Sequence, residues 1–176
     1  MDFNKLKERL TALALIEEVP ATSPAEPDKG EKEQPPAEPA APVSRPAAGE
    51  INYPARGFHF DVKVAADSVV EAATILDEEG FFLEAVTGVD WIKEKELEVV
   101  YDFTIWQPTC RVVVRTRLNR EAPEVPTISG VCPGANWHER ETHDFFGIKF
   151  SNHPDLTPLL LPEDADFHPL LKDFQV

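Results

Sequence analysis

The chain is poor in cysteine, in basic residues and in long apolar runs. Only Cys110 and Cys132 occur in 176 residues. Two cysteines suit a reducing compartment and two packed thiols rather than a disulfide framework. They are also too few for the four thiolates that an iron–sulfur cluster takes from one chain. Lys and Arg number 17 against 32 Asp and Glu, a net charge of −15. That field repels a phosphate backbone and anionic headgroups, which argues against nucleic acid and lipid surfaces as partners. No apolar stretch has the length a bilayer demands, so no membrane insertion is expected. The first residues, Met1-Asp-Phe-Asn-Lys-Leu-Lys-Glu-Arg-Leu, mix charges through what would have to be an apolar core. This is no secretory signal, and a cytoplasmic location is expected. There are no internal repeats.

What is present divides into four parts: 1–19, 20–50, 53–147 and 148–176. In the first, Phe3, Leu6, Leu10 and Leu13 recur at spacings of three and four, an amphipathic helix with a narrow apolar stripe. So short a helix is marginal alone, and the stripe either docks on its own domain or on a partner. Residues 20–50 hold eight of the 17 prolines among Ala, Glu and Lys. This composition cannot bury a core and reads as a disordered, extended linker.

The third part begins near Tyr53. Phe58, Phe60, Val62 and Val64 alternate with His59, Asp61 and Lys63, a half-buried strand. Ser68 with Glu71 has capping-box spacing, Val69, Ala72, Ala73 and Leu76 form a helix stripe, and Gly80 is placed to end it. Residues 81–89, 96–106 and 111–118 read as three further strands. Short turns between successive strands imply antiparallel pairing. A second helix is predicted from Asn136 to Gly147, with Asn136 as its cap and Glu139 at the capping-box position. Beyond it Pro154, Pro158, Pro162 and Pro169 forbid a long helix, so 148–176 should be an extended tail. The fold class is α+β: a small antiparallel sheet with helices packed on one face.

His138-Glu-Arg-Glu-Thr-His143 is not a zinc hydrolase motif. Five residues of helix turn about 500°, so the two imidazoles diverge by about 140° instead of sharing a face. No spacing recruits His153 or Cys132 to either of them. Glu139, Arg140, Glu141 and Asp144 form a charge cluster beside Trp137, Phe145 and Phe146. Charges held against apolar surface need partners, and Arg140 offers a fork to a carboxylate. A tail with unpaired backbone groups and the run Leu159-Leu160-Leu161 needs burial against something.

The same stretch resembles the 30-kDa subunit (the C subunit) of proton-pumping NADH–quinone oxidoreductase, respiratory complex I. The residues that carry the likeness are Glu139-Arg140-Glu141, Asp144, Phe145-Phe146, Gly147-Ile148 and His153-Pro154-Asp155-Leu156, in the family's order and spacing. Gly134-Ala135-Asn136-Trp137, Pro162-Glu163-Asp164 and the closing Pro169-Leu170-(Leu171)-Lys172-Asp173-Phe174 are similar too, so the likeness covers roughly 55–176. It departs at Thr157 and Leu171, where the family usually has basic residues, and the Pro-rich linker lies outside the common pattern. The resemblance implies a peripheral subunit at the cytoplasmic face of the inner (cell) membrane, architectural and without catalytic residues or metal. Its partners would be the large 49-kDa-type subunit (the D subunit) and the B-type iron–sulfur subunit. NADH, quinone, FMN and iron–sulfur clusters would be bound by other subunits, and no cofactor by this one. The implied interface comprises Trp137, Glu139, Arg140, Glu141, Asp144, Phe145, Phe146, His153, Pro154, Asp155, Leu156, Leu159, Leu160, Glu163, Asp164, Lys172 and Asp173. The equivalent subunit of an energy-converting [NiFe] hydrogenase shares the pattern, and a stand-alone binding module is the reading furthest from it.

Overall fold

The computed structural model describes residues 2–15 and 48–175. Helix α1, Phe3–Leu13, is capped by Asp2, whose carboxylate accepts from the Asn4 and Lys5 N–H groups. Its stripe settles onto this domain: Leu6 and Leu10 are fully buried in the core that also holds the inner faces of a later helix and the sheet. The chain leaves α1 through a single bridge from Ala14 to Val64.

Five strands form the sheet: β1 Ala48–Glu50, β2 Phe60–Lys63, β3 Phe82–Trp91, β4 Glu96–Trp106 and β5 Thr109–Asn119, in the order β1-β2-β5-β4-β3. A one-turn helix, α2, Tyr53–Arg56, joins the first two strands. Part of the segment read as linker is therefore structured, since Ala48–Glu50 pairs antiparallel with β2. The remainder of the linker lies outside the described residues. The meander β3-β4-β5 is antiparallel as predicted, but β2 pairs with β5 in parallel. The reason is the connection after β2. A 3-10 turn, Ala66–Ser68, and helix α3, Val69–Glu78, carry the chain across the sheet, so β3 starts at the end where β2 started.

Two details of α3 separate spacing from geometry. Ser68 makes no side-chain cap, because its backbone (φ −92°, ψ −3°) is already helical and its hydroxyl is not aimed at the free N–H groups. At the other end Gly80, at φ +85°, closes the helix as expected, with Gly80 N–H to Asp77 O and Phe81 N–H to Leu76 O.

One face of the sheet is apolar. The rows Val62–Val114–Tyr101–Val86 and Phe60–Val112–Phe103 lie under α1, α3 and a further helix, α4, Ala135–Phe146. The opposite face carries a ladder of charges. Arg115 pairs with Asp61 at 2.9 Å, Arg117 with Glu96 at 2.8 Å and Glu98 at 3.2 Å, and Arg111 with Glu84 beside the β3 bulge. Val100 and Val113 are buried although they face outward among these charges.

Two short strands, β6 Glu124–Pro126 and β7 Lys149–Ser151, pair in parallel beside the main sheet. The prolines around them predict irregular chain, so neither strand is anticipated. Ile148 and Phe150 enter the core here, so the boundary drawn at 147 runs through the domain and not along its edge.

Candidate functional site

Among the described residues no group of three His, Cys, Asp or Glu side chains is placed to hold a metal ion. Cys110 and Cys132 are buried free thiols, and burial pushes each up to about 11. Neither thiol is prepared for reaction. What the structure builds is a strap, running from β7 to residue 175 and fastened across α4 and the sheet edge.

Helix α4 sets the geometry. Its N-cap is Gly134, so Asn136 lies inside the helix, where it cannot cap. Glu139 consequently falls on the inner stripe with Ala135 and Thr142 instead of at the capping-box position. It is fully buried, accepting from the Ile128 N–H at 2.8 Å and from the Thr127 hydroxyl. Thr142 donates to the Val86 carbonyl, and Phe146 lies on Gly88 of β3, where a Cβ would come within 3 Å of the ring. Gly147 ends α4 at φ +73°, with the His168 ring occupying the space a side chain would need.

The strap leaves β7 through Asn152, at φ +62°, and is then gripped at three places. Arg140, expected to fork onto a carboxylate, instead donates to the Thr157 carbonyl (2.9 Å), the Thr157 hydroxyl (3.1 Å) and the Pro158 carbonyl (3.0 Å). Asp144 supplies the second grip. One of its oxygens accepts three successive backbone N–H groups, those of Leu159, Leu160 and Leu161, at 2.8, 2.7 and 3.2 Å. Burial opposes this carboxylate, but the three N–H groups outweigh it and hold its carboxyl below the usual range. The third grip lies at the far end of β3. Asp90, buried in the register of Val86 and Gly88, takes a fork from Arg120 (2.9 and 3.1 Å) and the Lys172 N–H (2.8 Å). Arg120 also reaches Asp173 at 2.5 Å. Here too burial opposes the carboxylate, and the Arg120 and Lys172 bonds prevail, keeping Asp90 low. Between the grips, His168 bonds the Asp144 carbonyl at 2.8 Å and Leu170 N–H the Phe145 carbonyl at 3.2 Å.

The residues implied as interface therefore divide. Glu139, Asp144 and His153 are turned inward, and the contacts expected with a neighbour are made within the chain. Arg140 and Asp173 are likewise occupied by the strap and its clamp. Phe145, Phe146, Leu156 and Leu159 are half-buried. Trp137, Glu141, Pro154, Asp155, Leu160, Glu163 and Asp164 face outward, and Lys172 is bound through its backbone N–H. The strap holds Leu159 partly covered while Leu160 projects, 60% exposed. Trp137 (61%), Leu170 (52%) and Phe167 (41%, stacked on Phe174 at 5.6 Å) add further exposed apolar surface on α4 and the strap. The sequence reading does not reach Asp90, Arg120, Thr127 or His168. Asp90 alone carries a signal, an acid at an inward-facing strand position, and the predicted strand stops one residue short of it.

Residues 62–176 match the family described as respiratory-chain NADH dehydrogenase, 30 Kd subunit. The chain is 40% identical over 117 residues to the C subunit of the NADH-quinone oxidoreductase of Roseiflexus sp. (strain RS-1), covering 64% of this chain and 67% of that one. It is 41% identical over 92 residues to the C subunit of the F(420)H(2) dehydrogenase of Methanosarcina mazei, covering 52% and 58%. Its fold superposes on a chain of the membrane-bound sulfane sulfur reductase, an archaeal respiratory membrane complex. The TM-score is 0.64 at 29% identity, over 74% of this chain and 78% of that one. The family match spans β2 to the end of the strap, and on it the chain belongs to the 30-kDa subunit family of respiratory-chain NADH dehydrogenases.

Proposed function

We propose that this chain is an architectural, peripheral subunit of a proton-translocating NADH–quinone oxidoreductase, docked on the large 49-kDa-type subunit by its strap. The observation that carries the reading is the strap's construction. Buried charges hold its backbone to the parent domain while Leu160, Leu170, Phe167 and neighbouring Trp137 point away from it. Exposed apolar anchors on an ordered backbone suit a permanent interface, because little ordering entropy remains to be lost on association. A relative in Phocaeicola vulgatus, 44% identical over 94 residues, is a C/D subunit of NADH-quinone oxidoreductase, which supports the large D subunit as the neighbour. The B-type iron–sulfur subunit is the second partner in this reading. NADH, quinone, FMN and the clusters reside on other subunits, and the chain sits at the cytoplasmic face of the membrane through its complex. Among the described residues no helix is long and apolar enough to cross a membrane.

The second reading keeps the role and changes the assembly. The likeness to an F(420)H(2) dehydrogenase subunit and to a sulfane sulfur reductase chain favours a common module serving different electron donors, with the energy-converting hydrogenase as another member. Purification of the native complex through a tag on this chain tests both. Co-purification of a 49-kDa-type subunit with NADH-oxidising subunits supports the first reading. A 49-kDa-type subunit accompanied by hydrogenase or F420-oxidising subunits supports the second. A monodisperse protein without companions overturns the architectural role.

A further inference from the structure

Of the two buried acids of α4, Asp144 grips the strap and Glu139 does not, and the surroundings of Glu139 are unusual for a carboxylate. Glu139 is completely shielded from solvent, as is the His153 side chain 3.7 Å from it. His153 stands at the origin of the strap. Its Nδ1 accepts the Asp155 N–H at 3.1 Å, so the ring proton is on Nε2, directed at the Asn136 carbonyl (3.3 Å) and Glu139. A second ring proton, on Nδ1, would displace the Asp155 N–H. The remaining neighbours supply no cation. Tyr101 approaches from β4 with a buried hydroxyl that has no partner among the described residues, and Cys132 from the turn before α4. Burial and the nearby Glu139 push both groups up, and Asp77 of α3 adds to the effect on Cys132.

Thr127 makes two protonation states equally well bonded. Its oxygen accepts the Ser129 N–H at 3.0 Å and lies within hydrogen-bond reach of both the Ser129 hydroxyl (2.8 Å) and the Glu139 carboxyl. With Glu139 ionised, the Thr127 hydroxyl donates to it. With Glu139 protonated, the acid donates to Thr127, whose own proton turns to Ser129. Neither state leaves the Thr127 hydroxyl or the acid unpaired.

We propose that Glu139, Thr127 and His153 form a buried proton-binding site that couples the charge of α4 to the first turn of the strap. Uptake of one proton neutralises Glu139 and leaves His153 on Asn136. Release leaves a buried anion that draws the His153 Nε2–H away from Asn136 and loosens the Phe150–Asp155 turn. Burial pushes the Glu139 acid up to about 7 against the opposing Thr127 and Ile128 bonds, so the exchange falls in the neutral range.

The test uses the full chain, isotope-labelled, with pH as the only variable. The Glu139 carboxyl carbon is followed by NMR between about pH 4 and pH 9, a range that brackets ordinary and raised carboxyls, and is identified through its hydrogen bond to the Ile128 amide. The expected result is one carboxyl titrating near 7, with the Ser129 and Asp155 amide shifts moving on the same midpoint. In Glu139→Gln, whose amide can donate to Thr127 while its oxygen accepts from Ile128, those amide movements should vanish. Thr127→Val should shift the midpoint upward, because the ionised state loses its hydroxyl donor. A Glu139 carboxyl titrating below about pH 5 overturns the site. A neutral-range titration with an unresponsive Asp155 amide overturns the coupling, and needs no variant to be read.

Discussion

At the scale of single residues, the carboxylates of this domain divide by what stabilises them, and their pH signatures run in opposite directions. Asp144 and Asp90 have folded carboxyls below the unfolded range, so each contributes stability that is fully present above about pH 4 and fades as pH falls further. Glu139 has the reverse sign. Its folded carboxyl lies above its ordinary value, so its contribution is complete in acid and is lost as pH rises through about 7. Asp144→Ala strands three backbone N–H groups and should cost about 2–4 kcal/mol in urea unfolding at neutral pH. The deficit should shrink as pH falls below about 4, toward the lowered range in which the folded wild-type carboxylate is itself protonated. A pH-independent deficit would mean that Asp144 acts by filling space. Gly88→Ala tests packing instead of charge. Its Cβ would lie within 3 Å of Phe146, whose helix backbone has little freedom to retreat, and the expected loss is about 1–3 kcal/mol in the same measurement.

At the scale of elements, helix α1 and strand β7 show what periodicity reveals and where it stops. The stripe Phe3, Leu6, Leu10, Leu13 is plain in the sequence, but a stripe states only that a face must be covered and not by what. Covering by α3 and the sheet is a tertiary outcome. Leu10→Ala should therefore destabilise the whole domain by about 2–5 kcal/mol in thermal or urea unfolding. Loss of helical signal without a shift of the main transition would show that α1 is an appendage. The meander strands are legible because their alternation is long and unbroken. Strands β6 and β7 are not, being three residues each and bordered by prolines, with burial conferred by neighbours distant in sequence. The parallel β2–β5 pairing is hidden for another reason: pairing depends on where a crossover returns the chain, and spacing within a strand carries no such information. In the site, the motif around α4 is readable as chemistry in need of partners. That Glu139 and His153 find each other, and that Asp144 binds backbone and not a base, depends on where the helix starts and how the strap returns over it.

At the scale of the whole molecule, the strap joins the domain's stability to its proposed task. A free tail of this composition would have to be ordered when a neighbour binds, at about 1–2 kcal/mol per backbone residue. The Arg140, Asp144 and Asp90 grips complete that ordering beforehand. Two kinds of variant consequently separate contact from presentation. Leu160→Glu changes a side chain that is 60% exposed and bonded to the domain only through its backbone. It should leave thermal unfolding nearly unchanged while co-purification of the large subunit falls by about tenfold or more, the scale of a lost interface anchor. Arg120→Ala alters no outward apolar residue but deprives Asp90 of its cation and Asp173 of its partner. It should lower domain stability by about 3–5 kcal/mol, expose residues 168–175 to limited proteolysis, and also weaken co-purification. If Leu160→Glu assembles at wild-type yield while Arg120→Ala does not, the strap serves the fold alone and the docking surface lies elsewhere. Should both assemble normally, neither the anchor nor its presentation matters to the complex. The proposed arrangement requires both to fail, the first with the domain intact and the second with the strap released.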